Sequence, residues 1–165
     1  MAFRPILLFP IVACLESACD DGAPVQAGPV DTGPIAGVAS VVDGDTIDIH
    51  GKEIRLSGYD TLERGARCNG VNVYQESAFA LSDFVGDRTV TCGVTGTDRW
   101  HRLVATYSVD GTDLGDYMVS EGWGRDWQQY SHGRYADEEA SARSAHAGIW
   151  GLDCPADLWG SRTYD

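Results

Sequence analysis

Four side chains in the stretch VVDGDTIDIHGKEIRLSGYDTLE, Val41 to Glu63, have types and spacing that could do chemistry together: Asp45, Arg55, Asp60 and Glu63, with Asp43 close by. Carboxylates gathered at one point repel each other. A hard cation with oxygen ligands would relieve that repulsion. A phosphate gripped by the paired donors of an arginine would complete the charge balance. The competing reading is a set of solvated acids, because Asp is a common turn residue. The spacing is not that of an EF-hand loop, and the chain has no Walker loop, GxGxxG or HExxH motif. Its four histidines, His50, His101, His132 and His146, have no ligand spacing and read as surface or packing residues.

The elements that must position these groups are short strands and turns. Val41-Val42 leads into the Asp43-Gly44 turn. Thr46 to His50 alternates with Ile47 and Ile49 on one face, His50-Gly51 turns the chain, and Glu53 to Tyr59 alternates again. Strict alternation would send Arg55 and Asp60 to opposite faces, and a bulge at Gly58 would change the aim of the later residues. Asp45, Asp60 and Glu63 then fall at strand ends, where side chains can converge.

The remaining chain supplies a second set of elements. Asn72 caps a helix with Gln75 three residues on; Ala78, Leu81 and Val85 keep helical spacing, and Gly86 ends it. Strands follow at Thr89–Val94 and Arg102–Val109. Asp113 caps a short helix closed by Gly122, and Trp123–Trp127 is extended. Arg134–Ala147 is an alanine-rich helix with Asp137, Glu138 and Glu139 in its first turn, where the helix dipole favours acids. The count is about five strands and three helices, an α+β chain. Such a set matches a five-stranded OB-type β-barrel with helices packed on it, although spacing alone does not establish closure.

The 165 residues allow one domain of ordinary size plus short extras. Net charge is −13 and Lys52 is the only lysine, which excludes the broadly basic surface usual for nucleic-acid binders. The acids are spread along the chain, as on a solvated surface in a salty or extracellular setting. Residues 1–14 read as a signal peptide: Arg4 is the positive end and Pro5–Val12 a short apolar run. Ile11-Val12-Ala13-Cys14 resembles a bacterial lipobox, making Cys14 the lipidation site; ordinary cleavage before Gly22 is the alternative. Residues 15–34 form a flexible tether rich in Gly, Pro, Ala and Asp. The folded domain spans 35–152, and 153–165 form a C-terminal tail. With Cys14 set aside, Cys19, Cys68, Cys92 and Cys154 are disulfide candidates, and three pairings are open. Proximity in the expected order favours Cys68–Cys92, leaving Cys19–Cys154.

DGDT followed by RLSGYDTLE resembles the signature of the thermonuclease (staphylococcal nuclease-like) family. TDRWHRLVA, Thr97 to Ala105, is similar to that family's basic-aromatic run ending at an arginine, and EGWGRDW and HAGIW match its later elements in order. The resemblance covers roughly Ala36 to Trp150, and it implies the closed barrel. It implies a calcium-dependent nuclease that hydrolyses phosphodiester bonds of DNA and/or RNA. In that scheme Asp45, Asp60 and the Thr61 carbonyl hold Ca2+. Glu63 acts on the attacking water, and Arg55 and Arg102 clamp the phosphate. Arg99, Trp100 and Tyr130 contact the substrate. Asp43 is read as a turn residue.

The chain departs from the pattern at Leu62, which replaces proline before the glutamate, at Arg99-Trp100, which replace a Lys-Tyr pair but keep a cation and an aromatic, at His101, where glycine is usual, and at Gln128, which replaces one of two nucleotide-stacking tyrosines. The implied protein is an extracytoplasmic endonuclease, membrane-anchored as a lipoprotein or secreted. Its partner is nucleic acid, it meets the membrane only through an N-terminal lipid, and it is a monomer. The alternatives are a non-catalytic nucleic-acid-binding module of the same fold, or a calcium-binding surface lipoprotein. The last would have no reason to keep Arg55, Glu63 and Arg102.

Overall fold

A computed structural model describes residues 33–155 and 157–160. The expected signal peptide, lipobox Cys14 and Cys19 lie outside the described residues, as does nearly all of the tether.

The chain runs β1 (Ile35–Val38), β2 (Ser40–Asp43), β3 (Thr46–Ile49), β4 (Lys52–Leu56) and β5 (Tyr59–Asp60), then α1 (Val73–Val85), β6 (Thr89–Thr97), β7 (Leu103–Val109) and β8 (Thr112–Asp113). It continues with α2 (Leu114–Ser120), β9 (Arg125–Asp126), α3 (Gln128–Ser131), α4 (Ala136–Ser144) and a 3-10 turn, Gly148–Gly151. The main sheet has the order β1-β6-β7-β4-β3-β2. Only Ala39 separates β1 from β2, so both ends of that path lie on one bent stretch of chain. Its first half pairs with β6 and its second half with β3. The sheet therefore curls back onto its own first strand. Counted this way, the five expected strands are all present. The β4–β7 pairing is parallel and the others are antiparallel. The alternation read from the sequence is the alternation observed: Ile47, Ile49, Ile54, Leu56, Val90, Ala105 and Val109 are fully buried in one interior.

Helix α1 starts where its cap predicts. The Asn72 side chain accepts from the Gln75 N–H, and Gly86, at φ +52°, ends it. Val73, Leu81 and Val85 are buried on its inner side, with Ser77 among them. The helix passes so close to the first turn that a Cβ on Gly44 would lie 2.5 Å from Ser77 Oγ. Glycine in the DGD turn is thus required by the helix above it, not by its own backbone angles. Asp113 caps α2 through Gly115 and Asp116, as expected. The third helix is shorter than the Arg134–Ala147 expected: it spans Ala136–Ser144, His146 turns left-handed at φ +54°, and Gly148–Gly151 form a separate 3-10 turn. With the single-turn helix α3, which was not expected, the described residues hold four helices in place of three.

The cysteine pairing needs correcting. Cys68 bonds to Cys154, 86 residues away, and Cys92 is a free, buried thiol. Cys92 lies on β6 one strand-repeat from Val90, and both point into the barrel, out of reach of Cys68. Burial pushes the Cys92 thiol up to about 12. Cys68 belongs instead to a second apolar cluster with Leu62, Val73 and Ile149, covered by Trp150, Leu152, Leu158 and Trp159.

Candidate active site

Eight of the expected groups line one cavity of about 1010 Å3, namely Asp45, Arg55, Thr61, Glu63, Arg99, Trp100, Arg102 and Tyr130, while Asp60 is buried and is not among the lining residues. Asp45 sits at the mouth of β3, where the chain has just left the Asp43-Gly44 turn. Asp43 Oδ1 accepts from the Asp45 N–H at 3.1 Å, which is the turn role expected for it. Arg55 reaches across from β4 and grips both oxygens of Asp45, Nη1 to Oδ1 at 3.3 Å and Nη2 to Oδ2 at 3.0 Å. The same Nη2 lies 3.7 Å from Asp60 Oδ1. Gly58 has φ +91°, a left-handed angle that favours glycine, and this turn brings Asp60 round to the side of Arg55.

Asp45 and Asp60 are both buried. Burial pushes the Asp45 carboxyl up to about 7; Arg55 opposes the rise, and the charges of Asp43 and Asp60 add to it. Asp45 thus carries more negative charge than its surroundings solvate. That fits a hard cation, with hard carboxylate oxygens as donors. Among the described residues no group of three or more His, Cys, Asp or Glu side chains is arranged to hold a metal. The expected set of two carboxylates and a carbonyl is smaller than that, and an ion held there would be completed by water and a phosphate oxygen.

Sequence reasoning missed Arg125. The two-residue strands β5 and β9 pair antiparallel, Asp60 opposite Arg125, and Arg125 Nη2 lies 3.1 Å from Asp60 Oδ2. Arg125 stands inside EGWGRDW, but a two-residue ladder between segments so far apart leaves no periodic signal.

Arg102 comes from the neighbouring strand: β4 and β7 run parallel with Ile54 opposite Leu103, and Arg102 directly precedes Leu103. The β6–β7 connection is organised by Asp98, whose Oδ1 accepts from the Trp100 and Arg102 N–H groups, both at 2.9 Å. Its Oδ2 takes the Arg102 Nε at 2.8 Å. Burial alone would raise the Asp98 carboxyl; the Arg102 and Trp100 donors outweigh it and hold the group below its ordinary value. Glu53 Oε1 is 3.6 Å from Arg102 Nη1. His101 has φ +65°, which explains why glycine would suit that position; the side chain is exposed.

The aromatic walls differ from expectation. Trp100 is exposed and carries the Arg99 guanidinium 4.2 Å from its ring centre and that of Arg102 at 5.3 Å. Tyr130 is exposed on the other side, edge-on to Trp127 at 4.5 Å. Trp127 in turn lies under Arg55, 5.5 Å from ring centre to guanidinium carbon. Gln128 is exposed, and the indole next to it supplies the aromatic surface there. Tyr74 of α1 completes the lining. Neither Trp127 nor Tyr74 is among the expected site residues, and it is the packing that places both on the cavity wall.

A curled five-stranded barrel with helices on its outside, opening into a cavity walled by acids, paired arginines and aromatics, defines a domain of the OB-type nuclease class. The chain belongs to the staphylococcal nuclease homologue family, whose model matches residues 53–151. It is 38% identical over 129 residues to the succinoglycan biosynthesis protein ExoI of Rhizobium meliloti, covering 71% of this chain and 65% of that protein. It is 27% identical over 126 residues to an uncharacterized endonuclease of Haemophilus influenzae, covering 73% of this chain and 68% of that one. Against a probable staphylococcal-like nuclease, CAN4, of Oryza sativa subsp. japonica, it is 30% identical over 108 residues, or 65% of this chain and 21% of the plant protein. The match thus spans less than two thirds of the first and third of these relatives.

Proposed function

We propose that this protein is a calcium-dependent nuclease that cleaves phosphodiester bonds of DNA and/or RNA outside the cytoplasm. One observation carries the reading: Asp45, Arg55, Glu63 and Arg102, scattered over 58 positions of sequence, line a single cavity. Asp45 and Asp60, with the Thr61 carbonyl, would hold the ion. When bound, calcium supplies Lewis-acid charge neutralisation at a phosphate oxygen.

The chain's own groups do the rest. Arg55 and Arg102 come from adjoining parts of the sheet, on β4 and just before β7, each presenting a planar fork that stays charged. They grip the non-bridging oxygens and gain most as charge builds on phosphorus. Glu63, exposed beside the cavity, orients a water and takes its proton as the water oxygen bonds to phosphorus and the ester P–O bond breaks. The departing oxygen takes a proton from solvent. Trp127, Tyr130 and Trp100 offer faces for bases.

The Cys68–Cys154 bond supports export, because disulfides persist in oxidising compartments. The lipobox-like Ile11–Cys14 run supports a membrane-anchored lipoprotein over a secreted form, and the mass of the mature N-terminus distinguishes them.

The deciding experiment is Glu63→Gln. Hydrolysis of denatured DNA and of RNA is followed with calcium and with chelator, beside calorimetry of calcium and nucleotide binding. Turnover falls about 100-fold or more while both bindings stay within a few-fold. If the variant cleaves as fast as the parent, the role given to Glu63 is wrong. If the parent binds nucleotide and never cleaves it, the protein is a binding module.

A further inference from the structure

The acids of the cavity are continuous in sequence with a segment that the C-terminal part of the chain holds from two sides. Asp60 is buried in the two-residue strand β5, and Glu63 follows three residues later, exposed. So short a ladder fixes Asp60 but says little about where Glu63 stands. What fixes the chain between them is Leu62. Its side chain is 2% exposed, packed with Cys68, Val73 and Ile149 in the second apolar cluster and not in the barrel interior.

That cluster is half loop and half tail, and the Cys68–Cys154 bond ties the two halves together. On the other side, Trp159 lies 4.4 Å from the Arg125 guanidinium, whose Nη2 is 3.1 Å from Asp60 Oδ2. Trp159 also stacks on Trp150, 6.0 Å between centres. The tail therefore touches the reactive segment twice, through Arg125 to Asp60 and through Leu62 to Glu63.

We propose that the C-terminal segment bearing Ile149, Cys154 and Trp159 is a disulfide-locked brace that positions the Asp60–Glu63 segment, with Leu62 and Arg125 as its positioning residues. The proposal rests on the nuclease reading above for its consequence, a turnover that depends on Cys68–Cys154. The barrel has its own separate core, so loss of the brace loosens the segment without unfolding the sheet. A loosened glutamate still lets substrate bind between the arginines, but spends less time aimed at phosphorus. The signature is a fall in kcat at nearly constant KM.

The test uses the full chain, oxidised, then treated with dithiothreitol, which supplies the two electrons and two protons that convert the bond to two thiols. Hydrogen exchange read by mass spectrometry should show peptides covering 60–67 exchanging about tenfold faster on reduction, with peptides from β3, β4 and β7 unchanged. Over the same change kcat should fall about tenfold and KM stay within twofold. The C68S/C154S double variant should match the reduced protein and ignore the reductant. In oxidised protein, Leu62→Ala should lower kcat likewise and Leu62→Met should restore it, since methionine fills the same space. Unchanged exchange at 60–67 on reduction overturns the brace, and so does faster exchange with kcat intact. A parent that hydrolyses nothing in either state ends the nuclease reading, while the exchange contrast still decides whether the tail holds the segment.

Discussion

Arg55 and Arg102 face the same cavity and are held by opposite kinds of structure. Arg55 is 16% exposed and is clamped by Asp45 and Asp60, residues brought to it by barrel closure and by the Gly58 turn. Arg102 is 22% exposed and takes its main partner, Asp98, from four positions earlier in its own loop. The first is fixed by long-range order, the second by a local knot of hydrogen bonds. Breaking the first should therefore disturb the fold as well as the chemistry. Breaking the second should disturb chemistry alone.

The largest effect is expected from Arg55→Ala. It takes the guanidinium away from buried Asp45, while Asp60 keeps Arg125, and turnover should fall by about 1,000-fold together with a stability loss of about 3 kcal/mol. Hydrolysis rates and a denaturant midpoint measure the two; a large rate loss at an unchanged midpoint would erase the contrast with Arg102. Next comes Arg102→Ala, with turnover down about 100-fold and stability within about 1 kcal/mol of the parent, read by the same pair of measurements.

A smaller step sharpens the comparison without touching either arginine. Asp98→Ala removes the acceptor of the Arg102 Nε and of two backbone N–H groups, so Arg102 is present but unaimed. Turnover should drop about tenfold and the thermal midpoint by a few degrees, and adding Asp98→Ala to Arg102→Ala should cost nothing further in rate. A full second loss in the double variant would show that Asp98 acts independently of Arg102.

The smallest effect is that of salt. At a net charge of −13, the surface as a whole repels polyanions, and under the proposed function attraction would come from short-range contacts at Arg55, Arg99 and Arg102. Activity should fall shallowly with added salt, or pass through a weak optimum. A steep monotonic loss would mean that a wider basic track than these three residues binds substrate.

The same division between local and long-range order explains what was legible in the sequence. The Asn72 cap, the Asp113 cap, the alternation in β3 and β4 and the DGD turn rest on neighbours within a few positions, and all formed where they were read. Asp45, Arg55, Glu63 and Arg102 were legible because each sits in a short recognisable run. Arg125, Trp127 and Tyr74 were not, because their roles depend on a ladder of two residues and on which wall a side chain meets. Asp98 lay in plain view within TDRWHR, and a short polar side chain two and four positions before its N–H donors was the available signal.

By itself the sequence determined the α+β set of strands and helices, since alternation and caps are written locally in residue types, and its short motifs carried the family resemblance that implies the barrel and gathers Asp45, Arg55, Glu63 and Arg102. Tertiary structure alone decided the disulfide, because pairing follows distance in space. Cys92 sits nearer Cys68 in the chain but points into the barrel, while Cys154 arrives from 86 positions away to meet Cys68 in the second core. The hold on Asp60 was decided in the same way. An arginine opposite it in a two-residue ladder, covered by a tryptophan from the tail, exists only once three distant segments have packed together.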